Sequence, residues 1–189
     1  MKVSIFVEGG ANRKDLRTRC RQGFSTLLRN AGIKSPFEVV PSGSKAYEDF
    51  CSALQGRGAD GVPLLLVDSE RPVRPNHGAW QHLGKRPPGV RDEQAQLMAQ
   101  CMETWLVTDR AQLRAFYGKG FHEGKLPRNA DLEAVHKDEM QKSLKSATED
   151  KYHKGNDSFT LLAGLEPQKL KTLPRAAQFF AAVELLGRP

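Results

Sequence analysis

Leu64-Leu65-Leu66-Val67-Asp68-Ser69-Glu70 runs four apolar residues straight into two acids one residue apart. A short, fully apolar run held between Pro63 and Pro72 fits a strand buried on both faces. Such strands belong to parallel sheets covered by helices. Charge is expensive inside such a sheet, so the acids belong where the strand emerges. In open α/β sheets that carboxyl edge is where ligands bind. The chain opens the same way, with Val3-Ser4-Ile5-Phe6-Val7-Glu8 followed by Gly9-Gly10. Glu8, Asp68 and Glu70 are therefore expected to converge on one edge from two strands.

Outward from these two runs the pattern is β-α-β-α-β. Residues 2–8 read as the first strand, with Gly9, Gly10 and Asn12 as the turn after it. Arg13 to Ala31 reads as a helix. Leu16, Cys20, Phe24, Leu27, Leu28 and Ala31 share one face. Pro36 to Pro41 is a second strand. Ser44 is expected to cap a second helix that ends near Leu54. Gly56, Gly58 and Gly61 loosen the turn into the organising strand. The fold class is α/β, a mainly parallel Rossmann-like sheet with flanking helices.

Residues 70–92 lack periodicity and are rich in Pro, Gly, Arg and His, the composition of a functional loop. A third helix is predicted from Glu93, capped by Asp92, to about Val107. Leu97, Met98, Cys101, Met102, Trp105 and Leu106 would face inward. Asp109 starts a fourth, and helices follow at about 137–148, 157–164 and 174–186. Pro174 takes a favourable first-turn position. A boundary near residue 130 separates an α/β part, 1–130, from a helical extension, 131–189. We expect the two to pack as one domain.

Composition sets further bounds. The chain has 189 residues, 39% of them hydrophobic and 27% charged, enough for one ordinary core. No apolar run approaches the ~20 residues that cross a bilayer. Glu8 interrupts the first apolar run too early for a signal peptide, so a cytoplasmic protein is expected. The net charge of +7 and pI of about 9.5 suit a polyanionic partner. Cys20, Cys51 and Cys101 are odd in number and far apart, so they read as reduced helix-face residues.

The acids suggest a metal. Mg²⁺ or Mn²⁺ is held by one or two carboxylates, waters and substrate phosphate oxygens. Asp68 and Glu70 fall on one side of an extended chain, and Glu8 can reach them from a neighbouring strand. Gly9-Gly10 leaves room for a phosphate. Arg13, Lys14, Arg17 and Arg21 follow at the start of the first helix, whose dipole favours anions. Acids, metal, glycine turn and basic helix together point to phosphodiester chemistry on DNA or RNA. Glu8, the acid with no near partner in sequence, is the candidate general acid or base. His77 and His82, in the loop after the acids, can each meet a scissile phosphate or a leaving group. Glu103 sits at the flank of its helix's apolar face. It is either a fourth acid of the metal site or half of a salt bridge with an arginine of the 71–91 loop.

Phe6-Val7-Glu8-Gly9, then a helix, a strand, a helix and Leu65-Leu66-Val67-Asp68-Ser69-Glu70, resembles the Toprim domain. This is the metal-dependent domain of type IA and II topoisomerases, bacterial primases and overcoming-lysogenisation-defect nucleases. That family carries a glutamate after its first strand and Asp-x-Asp after its third. Glu8 and Asp68 match. Glu70 replaces the second aspartate, which keeps the charge but moves the carboxylate one methylene out. Met102-Glu103-Thr104-Trp105-Leu106 with Asp109, and the later Ser158-Phe159 and Leu161-Leu162, are similar to a bacterial family of small Toprim-like proteins known mainly as a domain of unknown function. Its members are often encoded beside an ATPase of the ABC or AAA type. The resemblance implies a Mg²⁺- or Mn²⁺-dependent nuclease with an ATPase partner in phage defence or DNA maintenance. It equally allows a non-catalytic subunit that regulates the ATPase.

Overall fold

The computed structural model describes residues 1–10, 13–56 and 60–188. Asn12 and Gly58, expected in turns, lie outside these residues. A four-stranded, all-parallel sheet forms the centre, in the order β2-β1-β3-β4. Its strands are β1 (Val3–Val7), β2 (Phe37–Pro41), β3 (Val62–Asp68) and β4 (Ala95–Met98). The helices are α1 (Lys14–Asn30), α2 (Ala46–Leu54), α3 (Ala79–Leu83), α4 (Met102–Val107), α5 (Arg110–Tyr117), α6 (Lys137–Ala147), α7 (Asp157–Gly164), α8 (Pro167–Leu170) and α9 (Pro174–Gly187).

Strand alternation divides the core in two. Ile5, Val7, Leu64, Leu66 and Met98 point to one face, where α1, α4, α6, α7 and α9 cover them. Phe6, Leu65, Val67 and Leu97 point to the other, against α2 and α3 through Phe50 and Trp80. Both faces are therefore dry, which is why β1 and β3 are almost wholly apolar; Ser4, buried in β1, donates to Glu38 at 2.7 Å. Met140, Tyr152, Phe159, Phe180 and Val183 of the extension sit in the same buried cluster as Ile5 and Val7.

The stretch from Glu93 to Val107 is not one helix. Asp92–Gln94 makes a single 3-10 turn, Ala95–Met98 is the edge strand β4, and α4 begins only at Met102. Ala, Gln, Leu and Met are all good helix formers, so local propensity points the wrong way. The outer edge of β3 decides it, pairing Leu65 to Asp68 with Ala95 to Met98. Two caps differ as well. Gly43–Lys45 is a 3-10 turn, and Ser44 makes no cap bond to α2. Asp92 pairs with Arg86 at 2.6 Å instead of capping a helix. Asp109 does cap α5, accepting from the Gln112 amide at 3.2 Å. Cys51 lies in α2 and Cys20 in α1, but Cys101 precedes α4; all three are free.

The 70–92 loop is anchored at its middle by α3. Trp80 is buried and donates from its indole nitrogen to the Arg91 carbonyl at 3.0 Å. His82 is buried too, with Nε2 2.8 Å from the Ser69 carbonyl.

Candidate functional site

β1 and β3 are neighbours in register, Val7 opposite Leu66, so their carboxyl ends fall together. The backbone continues the pairing one step further, with the Glu8 amide donating to the Leu66 carbonyl at 3.0 Å. The Glu8 carboxylate then accepts from the Asp68 amide at 3.3 Å. Glu8, Asp68 and Glu70 all border one cleft of about 330 Å³, together with Gly9, Gly10, Leu16, Met102, Lys154 and Phe159. A groove of similar size, about 320 Å³, runs between β4 and α9 and holds none of these acids. The first is therefore the candidate site.

The turn is shaped for close approach. Gly10 has φ 79°, and a Cβ there would stand 3.0 Å from the Arg17 Cα and 3.1 Å from the Pro41 Cβ. Only glycine fits both the dihedral and the space. The same packing draws α1 against the cleft. Arg17 is exposed beside Gly10, while Lys14 is exposed and Arg13 pairs with Asp15 at 2.7 Å. Arg21 turns to β2, donating to the Val39 carbonyl at 3.2 Å.

Burial raises the Glu8 carboxyl above the usual range; the Asp68 amide opposes this and the Glu70 charge adds to it. Asp68 is raised well above its ordinary value, again by burial first. Lys154 pulls against that, and Glu8, Glu103 and Glu70 repel. Among the described residues the Asp68 Oδ1 is buried without a hydrogen-bond partner. An unpaired buried carboxylate oxygen is costly.

The other acids have partners. β3 ends at Asp68, and Glu70 takes a left-handed φ of 64°. The alternation that would have stacked Glu70 with Asp68 is broken there. Glu70 remains half in solvent and pairs with Lys137 at the start of α6. Glu103 is fully buried. It accepts from the Tyr152 hydroxyl at 3.1 Å and from the Gln141 amide at 3.5 Å, with the Lys154 ammonium at 3.8 Å. No arginine of the 71–91 loop reaches it, so of its two expected roles the arginine salt bridge does not form; the cation beside it is a lysine from the extension. Burial pulls the Lys154 ammonium down, but Glu103, Asp68 and Glu70 outweigh it and its pKa stands above the usual lysine range. Lys154 is the cation that composition did not single out for this cleft.

The histidines fall elsewhere. His82 props the chain from behind, holding the Ser69 carbonyl between Asp68 and Glu70. It is a positioning residue and does not line the cleft. The carbonyl of His77 accepts from Arg175 at 2.8 Å, near the start of α9 and away from the acids.

Among the described residues, no three His, Cys, Asp or Glu side chains are grouped as a ready metal site. Lys137 engages Glu70 and Tyr152 engages Glu103. Glu8 and Asp68 remain, one with a single 3.3 Å bond and the other with an orphaned oxygen. Two such carboxylates suit Mg²⁺ or Mn²⁺, which keep several waters and take few protein ligands. Among the described residues no helix is long and apolar enough to cross a membrane. No curated protein and no solved structure matches the chain. A family model does match, over residues 7–184, and the chain belongs to that family, described as a domain of unknown function (DUF4276).

Proposed function

We propose that the protein is a divalent-metal-dependent nuclease of the Toprim kind. The observation that carries this reading is the orphaned Asp68 oxygen beside Glu8, at the carboxyl end of two adjacent parallel strands. A buried carboxylate oxygen left unpaired at a ligand-binding edge is one that a cation would satisfy. Glu8 and Asp68 would hold Mg²⁺ or Mn²⁺, and Glu70 could join by releasing Lys137. The ion, when bound, polarises a phosphate and activates water.

The chain's own residues do the rest. Lys154 borders the cleft with the acids, and Arg17 packs against Gly10 at its edge; both would hold phosphate oxygens. Glu103 and Tyr152 fix Lys154 in place. Glu8, held by the Asp68 amide, is positioned to take or give the proton. The likeness to the small Toprim-like family adds a partner ATPase of the ABC or AAA type.

A second reading is a non-catalytic subunit of that ATPase. It is favoured by Lys137 and Lys154, which neutralise two of the acids from within the chain. Mn²⁺ titration by calorimetry separates the two, run on the wild type and on Glu8→Gln, Asp68→Asn. Binding that the double variant loses, with DNA or RNA cleavage lost in Glu8→Gln alone, supports the nuclease. No binding and no cleavage by the wild type refutes it in favour of the subunit.

A further inference from the structure

Glu8 and Asp68 border two cavities. The first is the 330 Å³ cleft with Lys154. The second, about 150 Å³, lies on the side of α2 and is lined by Tyr47, Leu65, Val67, Leu83 and Lys85. Gly43 and Ser44 border both. The acid pair is thus a shared wall, with a lysine on each side of it.

The second cavity has its own chemistry. Tyr47 is half-buried, and the Lys85 ammonium stands 3.8 Å from its ring centroid. Leu65 and Val67 give an apolar floor. Ser44, which makes no helix cap, leaves its hydroxyl free for the cleft. A flat ring, an apolar floor, a hydroxyl and an exposed cation are the parts that take one nucleotide. The ring stacks the base and the ammonium, leaving the ring, meets the phosphate. A base can reach such a ring only when it is unpaired and unstacked from its own strand.

We infer that the substrate is a single-stranded nucleic acid laid across the Glu8–Asp68 wall, with the nucleotide on one side of the scissile bond seated against Tyr47 and Lys85. This rests on the nuclease reading and deepens it. The bond cleaved would be internal to the strand, since the chain continues into both cavities.

The test is fluorescence anisotropy on the full chain with Ca²⁺ in place of Mg²⁺. The probes are labelled single strands of DNA and of RNA about 12 residues long, beside their duplexes. The variants are Tyr47→Ala, Tyr47→Phe and Lys85→Gln, each also titrated with Mn²⁺. Single strands should bind about tenfold tighter than duplexes. Tyr47→Ala should weaken them about tenfold or more, and Tyr47→Phe, which keeps the ring, should not. Lys85→Gln should reduce the salt slope by about one. Mn²⁺ affinity should hold in all three. The DNA and RNA arms tell which strand is preferred. Wild-type affinity in Tyr47→Ala and Lys85→Gln, or preference for duplex, overturns the inference and leaves the metal-nuclease reading standing. A wild type that takes up Mn²⁺ but no nucleic acid overturns both the inference and the nuclease. Absence of Mn²⁺ binding counts against the metal alone, and the oligonucleotide arms still decide the inference.

Discussion

Replacing Asp68 by Asn should make the protein more stable and less able to bind a cation. The Asp68 Oδ1 is buried and unpaired, and burial with the charges of Glu8, Glu103 and Glu70 raises its pKa well above the ordinary 3.8. A buried group left unpaired costs about 1–3 kcal/mol. Asn removes the charge and its repulsion with Glu8, Glu103 and Glu70, so about 1–2 kcal/mol should return. For a chain of this length that is about 3–6 °C in Tm.

The pH dependence follows from the sign of the shift. A carboxyl whose folded pKa is raised keeps its proton in the native state after the unfolded chain has lost it. Stability therefore falls as pH rises from about 3.8 through the folded pKa. Asn does not titrate. The gap between variant and wild type should be near zero at the acid end and full above the folded pKa. Urea unfolding in EDTA at several pH values from mildly acid to pH 8 measures it. Mn²⁺ should then reverse the order, because a ligand at a hundred times its Kd stabilises by about 2.7 kcal/mol and the variant forgoes this. A variant no more stable than wild type at neutral pH, or a gap that does not shrink on acidification, would refute the reasoning.

Tyr152→Phe leaves the fully buried Glu103 without its 3.1 Å hydroxyl and should cost about 1–3 kcal/mol, read by thermal melting. Gly23→Ala should cost about 1–3 kcal/mol, because its Cβ would stand 2.7 Å from the Phe159 carbonyl where α1 crosses α7. Since Phe159 borders the cleft, that variant should also loosen Mn²⁺ binding on calorimetry. Asp109→Ala removes the cap of α5 and the acceptor of the Glu166 amide and Lys169, for a loss of about 1–2 kcal/mol at pH 7. Burial raises the Asp109 carboxyl but those bonds outweigh it and hold it below 3.8. Its contribution is therefore present above 3.8 and lost as pH falls through the lower folded value, so the variant and the wild type should converge in acid by urea unfolding.

β1 and β3 are legible in sequence because each is a mostly apolar run closed by an acid, which suits a strand covered on both faces, and β2 is legible as a short run held between Pro36 and Pro41. The three strand-end acids are legible for the same reason, since charge has nowhere else to go along those strands. β4 is hidden because Ala-Gln-Leu-Met carries helical propensity and becomes a strand only through β3. Glu70 is hidden because a left-handed φ breaks the alternation that the sequence implies. Lys154 and Tyr152 lie about fifty residues from Glu103, and no local pattern joins them; what signals them is only that a glutamate flanking an apolar helix face needs a partner. His82 shows the converse. Its position after the acids suggests chemistry, while its burial makes it a prop for the Ser69 carbonyl.

The charge of the site runs against the charge of the chain. The protein carries +7 overall, yet Glu8, Asp68, Glu70 and Glu103 lie near one sheet edge, with Lys137 paired to Glu70 and Lys154 to Glu103. A basic field draws a polyanion in from a distance, but the last few ångströms lead over an acidic wall. On the nuclease reading this conflict has a use. A phosphate would meet repulsion from Glu8 and Asp68 until a divalent ion lay between them, and the phosphate oxygens would add to the few ligands the chain offers the ion. Each should then bind the more tightly for the presence of the other, and by the same factor. Burial and mutual repulsion raise both carboxyls, and it is the relief of that crowding by a cation that would couple it to the phosphate.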